Sequence, residues 1–225
     1  MINKKNIQNN LYAELEFVGF RVSHSEQLPM GEIPDIEHVI IKACYEVDKD
    51  GRILGLLLSW LMVHGSHIIA DKLFKEYEMA KKYLGECPWF YAICAFRSHL
   101  KDHRFKKGLV KLKNPHYFGG ASQSSLIRIK GCIDYLEKLN IFVATTSLRI
   151  REEDVLTIDE LLKKNEQYRN RYIWGVNWRA EIIGLVLLGA KTPGEIAKRL
   201  GLARSRVGIV FKEYTLIKRF MVIVR

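Results

Sequence analysis

Apolar positions recur at helical spacing along most of the chain, with turn-forming residues between the runs. Residues 11–18 predict a short helix. Two prolines and a glycine within residues 28–35 predict a loop. Val39, Ile40, Ala43, Cys44 and Val47 then mark one face of a helix over 37–47. Residues 52–64 are apolar nearly throughout, which predicts a helix buried on all sides. A break at 64–66 follows, with Ser66 placed to cap a helix running to Leu84. Gly85 ends that helix, and Pro88 at a first helical position opens another over 89–103.

The next tract, 103–120, is basic and rich in glycine, which predicts a loop or a short extended hairpin. A serine near Ser124 caps a helix expected to reach Leu139. The β-branched and aromatic run at 141–146 predicts a strand. One more helix is expected over 157–164, with 165–178 as a link. The fold class is therefore mainly α. A helical body with minor β is expected over 1–172, followed by a smaller unit over 173–225.

That last unit carries the densest local signals. Ile182, Ile183, Leu185 and Val186 predict a helix over 178–188, ended by Gly189. Thr192 and Glu195 have the spacing of a capping box, with Pro193 at the first helical position. Ile196 and Leu200 form the apolar face of this second helix, and Ala197 leaves room for a crossing neighbour. Gly201 permits a tight turn. Val207, Val210, Phe211 and Tyr214 then share one face of a third helix, and Ser205, Ile209 and Lys212 share the opposite one. The apolar run at 220–224 predicts a strand.

The pattern Ile196, Ala197, Leu200, Gly201, Leu202, Val207, Val210 resembles the helix-turn-helix, winged-helix-like family of DNA-binding domains. The resemblance covers only this C-terminal unit. It implies a tri-helical fold whose third helix lies in a major groove. Lys191, Thr192, Arg204, Ser205, Arg206, Ile209 and Lys212 would then face DNA. The sequence departs from the family at Ala203, where a capping side chain is usual, and at Gly208 and Ile209, where polar base readers are usual. It implies double-stranded DNA as partner, transcriptional regulation as the process and a homodimer matched to operator symmetry. Residues 122–150, a serine-capped basic helix leading into a strand, are similar to a second, degenerate winged helix.

Charge agrees with a polyanionic partner. The formal net charge is +11. Residues 176–225 hold ten basic side chains against three acidic ones, and 97–114 hold seven against one. The second cluster includes Arg104, Lys106, Lys107, Lys111 and Lys113. Such stripes are the electrostatic footprint of nucleic-acid binding. The four cysteines form no CxxC pair, which argues against a zinc ribbon or a disulfide framework. The first residues lack the apolar stretch of a signal peptide, and the run at 53–63 is too short to span a bilayer. A cytoplasmic protein without membrane contact is expected, with no cofactor.

Other chemistry is sparser. Arg97 and His103 have the R-x5-H spacing that resembles all-helical HEPN ribonucleases, which implies a phosphate-acting pair and a place in phage defence or a toxin–antitoxin system. His99 and His103 stand four apart, a metal-compatible spacing without a third ligand, so no metal site is expected. Trp89, Phe90, Tyr91 and Phe96 read as core, and Trp174 and Trp178 as packing for the C-terminal unit. A protein-interaction module is the alternative use of a helix-turn-helix.

Overall fold

The computed structural model of the chain describes residues 10–23, 27–29, 33–120 and 123–223, the last five for backbone only. It is mainly helical, with one two-stranded parallel sheet among the described residues. Two compact units divide at Leu161 and Leu162. This boundary lies one helix earlier than the expected 172, because residues expected as a link fold into the second unit.

The first unit begins with α1 (Leu11–Phe17) and α2 (Ile36–Cys44), the latter capped by Asp35 through the His38 amide. Then come α3 (Arg52–His64), α4 (Ala70–Leu84) and α5 (Pro88–His99). The apolar composition of α3 and α5 has the expected result: Leu54, Leu57, Trp60, Leu61, Trp89, Phe90, Ile93 and Cys94 form the middle of the core. The Trp60 indole donates to the Val18 carbonyl at 2.9 Å, which satisfies its N–H inside that core. Phe90 stacks on Tyr77 of α4 with ring centroids 3.7 Å apart.

Ser66 does not cap α4. A 3-10 turn at Gly65–His67 intervenes, and Ile69 takes the cap position without a side chain that could serve. The buried Glu37 carboxylate on α2 instead accepts the Ile69 amide at 3.0 Å and pairs with Lys72 at 3.3 Å. The acceptor at this helix end is therefore long-range in sequence.

The basic tract opens as a 3-10 turn over His103–Gly108 and ends in β1 (His116–Tyr117). It forms no hairpin. β1 pairs in parallel with β2 (Ile141–Phe142), His116 opposite Ile141 and Tyr117 opposite Phe142. The single helix expected from Ser124 to Leu139 is two: α6 (Ser124–Lys130) and α7 (Asp134–Glu137). Gly131, at φ 78°, breaks them apart, and Cys132 bridges to Ala144. Gln123 holds the cap position of α6, without a side-chain bond. Residues 131–133 pair antiparallel with 143–145 through the Cys132–Ala144 bridge, while Ile141–Phe142 joins β1 in parallel.

The helix α8 (Ile158–Lys164) starts with a reciprocal cap: Thr157 Oγ1 accepts the Glu160 amide, and Glu160 accepts the Thr157 amide at 2.7 Å. In the second unit, α9 (Glu166–Trp174) occupies most of the expected link and is capped by Asn165. It packs along α10 (Trp178–Leu187). The contact is polar as well as apolar. Arg171, with no exposed side-chain surface, grips Glu181 through Nε at 2.9 Å and Nη2 at 2.8 Å, and Gln167 donates to the other carboxylate oxygen at 2.9 Å.

α10 ends in a Schellman motif, with Gly189 at φ 98° and Ala190 N–H bonded to the Leu185 carbonyl at 3.0 Å. α11 (Pro193–Leu200) and α12 (Arg204–Ile223) complete the unit. The backbone of 220–223 is helical, not the expected strand; Val224 lies outside the described residues. Propensity favoured a strand there, but the preceding helix simply continues.

Candidate nucleic-acid interface

Ile182 and Leu185 of α10, Ile196 and Ala197 of α11 and Val207 of α12 form one buried cluster. Leu200, Leu202, Val210 and Phe211 pack around it. These are the positions that the spacing placed inward, and they hold α12 against α10 and α11. Tyr214 continues the same face and meets Trp174 of α9 edge-on at 6.1 Å.

Local hydrogen bonding sets the turn. Thr192 Oγ1 accepts the Glu195 amide at 3.2 Å. Glu195 reaches back to the Lys191 amide, also at 3.2 Å, one residue earlier than a capping box usually does. Gly201 takes the left-handed conformation, φ 59° and ψ 41°, and Leu202 N–H bonds to the Ala197 carbonyl at 3.0 Å. Ala203 precedes α12 and supplies only its carbonyl, to the Val207 amide at 3.2 Å.

This frame presents Lys191, Thr192, Arg204, Ser205, Arg206, Ile209 and Lys212 to solvent, all exposed. Arg204 and Thr192 come together at Gly194: a β-carbon there would lie 4.0 Å from both Arg204 Nε and Thr192 Oγ1. The N-terminal ends of α11 and α12 thus meet at a small corner that carries the Arg204 guanidinium beside Thr192, with the Glu195 carboxylate already on the Lys191 amide. The side chains of Lys191, Arg204, Arg206 and Lys212 engage no carboxylate among the described residues. Arg179 differs: it pairs with Glu213 at 2.6 Å, joining α10 to α12. No sequence signal marked that pair, since 34 residues separate its members. A β-carbon on Gly208 would meet nothing within 4 Å, so no described neighbour needs a glycine there.

The second basic cluster is partly spent on structure. Arg104 pairs with Asp102 at 2.7 Å and donates to the carbonyls of Ile68 and Gly65. Lys107 pairs with Asp71 at 3.0 Å and lies 4.2 Å above the Phe74 ring. Lys106 and Lys111 remain exposed without a carboxylate among the described residues. Lys111 and Lys113 line an open cleft of about 550 Å³ with His116 and Glu86.

Arg97 is buried on α5, not presented to a phosphate. Its Nη1 donates to the Leu61 carbonyl at 2.8 Å and its Nη2 to Asp102 at 2.7 Å. Gly65 makes room for it: a β-carbon there would come within 2.5 Å of the guanidinium carbon. His103 is exposed in the 3-10 turn, so the two residues form no phosphate-facing pair. Lys101, at φ 67°, has already ended α5, and His99 stacks on Tyr135 at 4.7 Å. His99 and His103 therefore do not share a helical face. No cluster of three or more His, Cys, Asp or Glu side chains able to hold a metal ion occurs among the described residues. Among those residues no helix is long and apolar enough to cross a membrane.

Comparison with protein-family models, with curated proteins and with solved structures finds no match to this chain.

Proposed function

We propose that this protein binds duplex DNA through α12, as a helix-turn-helix transcriptional regulator acting as a homodimer. The observation that carries this reading is the first turn of α12. Arg204, Ser205 and Arg206 are exposed there, without carboxylate partners among the described residues, above a hydrophobic cluster that holds the helix in place. Phosphate contacts dominate under this reading, because Gly208 offers no side chain and Ile209 offers only an apolar contact such as a thymine methyl. Arg204 beside the N-terminus of α11 is placed to hold one phosphate, and Arg206 a second or a guanine edge. The homodimer follows from the two-fold symmetry of operators that such units read.

The test is a salt titration of binding to random duplex DNA. Each neutralised phosphate contributes roughly 0.9 to the slope of log K against log salt. Arg204→Ala with Arg206→Ala is expected to weaken binding at least tenfold at low salt and to flatten that slope by about 2. Equal binding by the double variant at every salt concentration overturns the reading.

A second reading rests on the apolar exposure of α12. Ile209 and Leu216, seven residues apart, are 61% and 54% exposed. A protein partner covering that stripe would use the unit as an interaction module. Ile209→Asp separates the two. Loss of a co-purifying protein with duplex binding retained favours the interaction module.

A further inference from the structure

An open cleft of about 960 Å³ is lined, among the described residues, by residues of the first unit and by none of the seven exposed residues at α11 and α12. Its formation traces to Gly55 on α3. A β-carbon there would stand 2.9 Å from the Arg149 carbonyl oxygen, so the segment 149–151 crosses α3 where only a glycine leaves space. The Arg151 amide donates to the buried Ser59 hydroxyl at 2.9 Å and fastens the crossing. Arg149 and Arg151 therefore line the same cleft as Arg52 from the first turn of α3, and Arg21 joins them.

The carboxylates of the cleft are already matched. Asp50 pairs with Arg52 at 2.7 Å and accepts the Tyr12 hydroxyl. Asp154 pairs with Arg151 at 2.7 Å. Arg21 is held outside the cleft charge count by Glu160 at 2.7 Å and by the Val155 carbonyl at 3.0 Å. Arg149 alone engages no carboxylate among the described residues, and it is exposed. The lining thus carries a guanidinium surplus centred on Arg149. Phe118 lines the cleft as well, with the tip of its ring against Gly51, Cζ 2.9 Å from where a β-carbon would stand.

We infer that this cleft binds a nucleotide, with the phosphate on Arg149 and the base against Phe118. Guanidinium matches phosphate oxygens bidentately, and an aromatic face matches a planar base. The volume lies at the upper end of the range for small-molecule pockets, which accommodates a nucleotide with bound water. This site stands independently of the DNA-binding reading.

Titration calorimetry on the full chain tests it, with AMP and ATP as probes and inorganic pyrophosphate and adenosine as controls. One-to-one binding of a nucleotide is expected, weakened at least tenfold by Arg149→Ala, an exposed position whose loss leaves the fold intact. Phe118→Leu is expected to weaken nucleotide binding more than pyrophosphate binding. Unchanged affinity in the Arg204→Ala, Arg206→Ala variant assigns the heat to the cleft. The inference is overturned by no saturable nucleotide binding up to millimolar concentration, by full affinity in Arg149→Ala, by pyrophosphate binding as tightly as ATP, or by loss of binding in the α12 double variant.

Discussion

Arg97 and Asp102 form a 2.7 Å ion pair in the first unit, each with only 10% of its side chain exposed. The pair closes the end of α5 over the 3-10 turn, and Asp102 also caps that turn through the Arg104 amide. Removing Arg97 leaves Asp102 its Arg104 partner, so the loss is that of the charged hydrogen bonds from Arg97 to Asp102 and to the Leu61 carbonyl, about 1.5–3 kcal/mol. Arg97→Ala is expected to destabilise the protein by that order in chemical denaturation. His103→Ala, at an exposed position, is expected to change stability by less than about 0.5 kcal/mol. A ribonuclease built on these residues predicts the reverse signature: a stable Arg97→Ala protein that has lost RNA cleavage.

Acid is expected to weaken the fold in two steps. Burial drives His64 down to about 4 despite its bond to the Leu156 carbonyl. The folded state thus favours neutral His64, and stability falls as pH drops from the ordinary histidine value of about 6.5 towards 4. Asp102 behaves in the same direction at lower pH. Burial alone would raise it, but hydrogen bonds from Arg104 and Arg97 outweigh burial and hold it at about 2. Its contribution is present above about 4 and is lost between there and 2. Denaturation midpoints measured from pH 7 to pH 3 check this, and His64→Gln is expected to flatten the fall between pH 6.5 and 4. An unchanged slope in that variant would remove His64 as the cause.

Gly208 sits in the interior of α12 with open space where a β-carbon would go. Gly208→Ala is therefore expected to stabilise the protein by about 0.5–1 kcal/mol. Thermal unfolding measures that gain, and DNA binding of the same variant adds a second result. Weakened binding together with higher stability would mean that the helix backbone approaches DNA closely at residue 208.

Two substitutions in the second unit differ in expected size. Thr192→Ala removes a cap at an exposed helix end and is expected to cost about 1 kcal/mol. Arg171→Ala leaves Glu181 and its surroundings buried without the guanidinium and is expected to cost about 3–5 kcal/mol. Equilibrium unfolding ranks them. A larger loss from Thr192→Ala would mean that the cap, not the α9–α10 ion pair, holds the unit together.

The C-terminal core was legible because its signals are local. Thr192, Pro193, Gly189 and Gly201 act within a few residues of themselves, and Ile196, Ala197 and Val207 follow one helical period. The exposure of Lys191, Thr192, Arg204, Ser205, Arg206, Ile209 and Lys212 was legible for the same reason, since an outward face is the complement of an apolar one. Position 203 was legible too: alanine has no capping side chain, and its carbonyl accepts the Val207 amide.

The misreadings share a different cause. Residues 165–178 have little amphipathic pattern, and α9 forms because Arg171 and Gln167 find Glu181 on the next helix. Ser66 had the right type for a cap, yet Glu37 bonds the chain there from 32 residues away. Arg97 and His103 had the spacing of an active pair, but Asp102, Leu61 and Gly65 draw the arginine inside. Even the Arg149 cleft depends on one glycine in a helix that reads as uniformly apolar.

By itself, the sequence determined the helical class, most element boundaries and the inward and outward faces of α11 and α12. Helical periodicity, capping and glycine conformation are properties of neighbouring residues, so they can be read in one dimension. Only the tertiary structure decided which charges are paired, which arginines remain available and where a cleft opens. Ion pairing and desolvation depend on how the chain packs in three dimensions, whether the partners stand five residues apart, as Arg97 and Asp102 do, or 34, as Arg179 and Glu213 do.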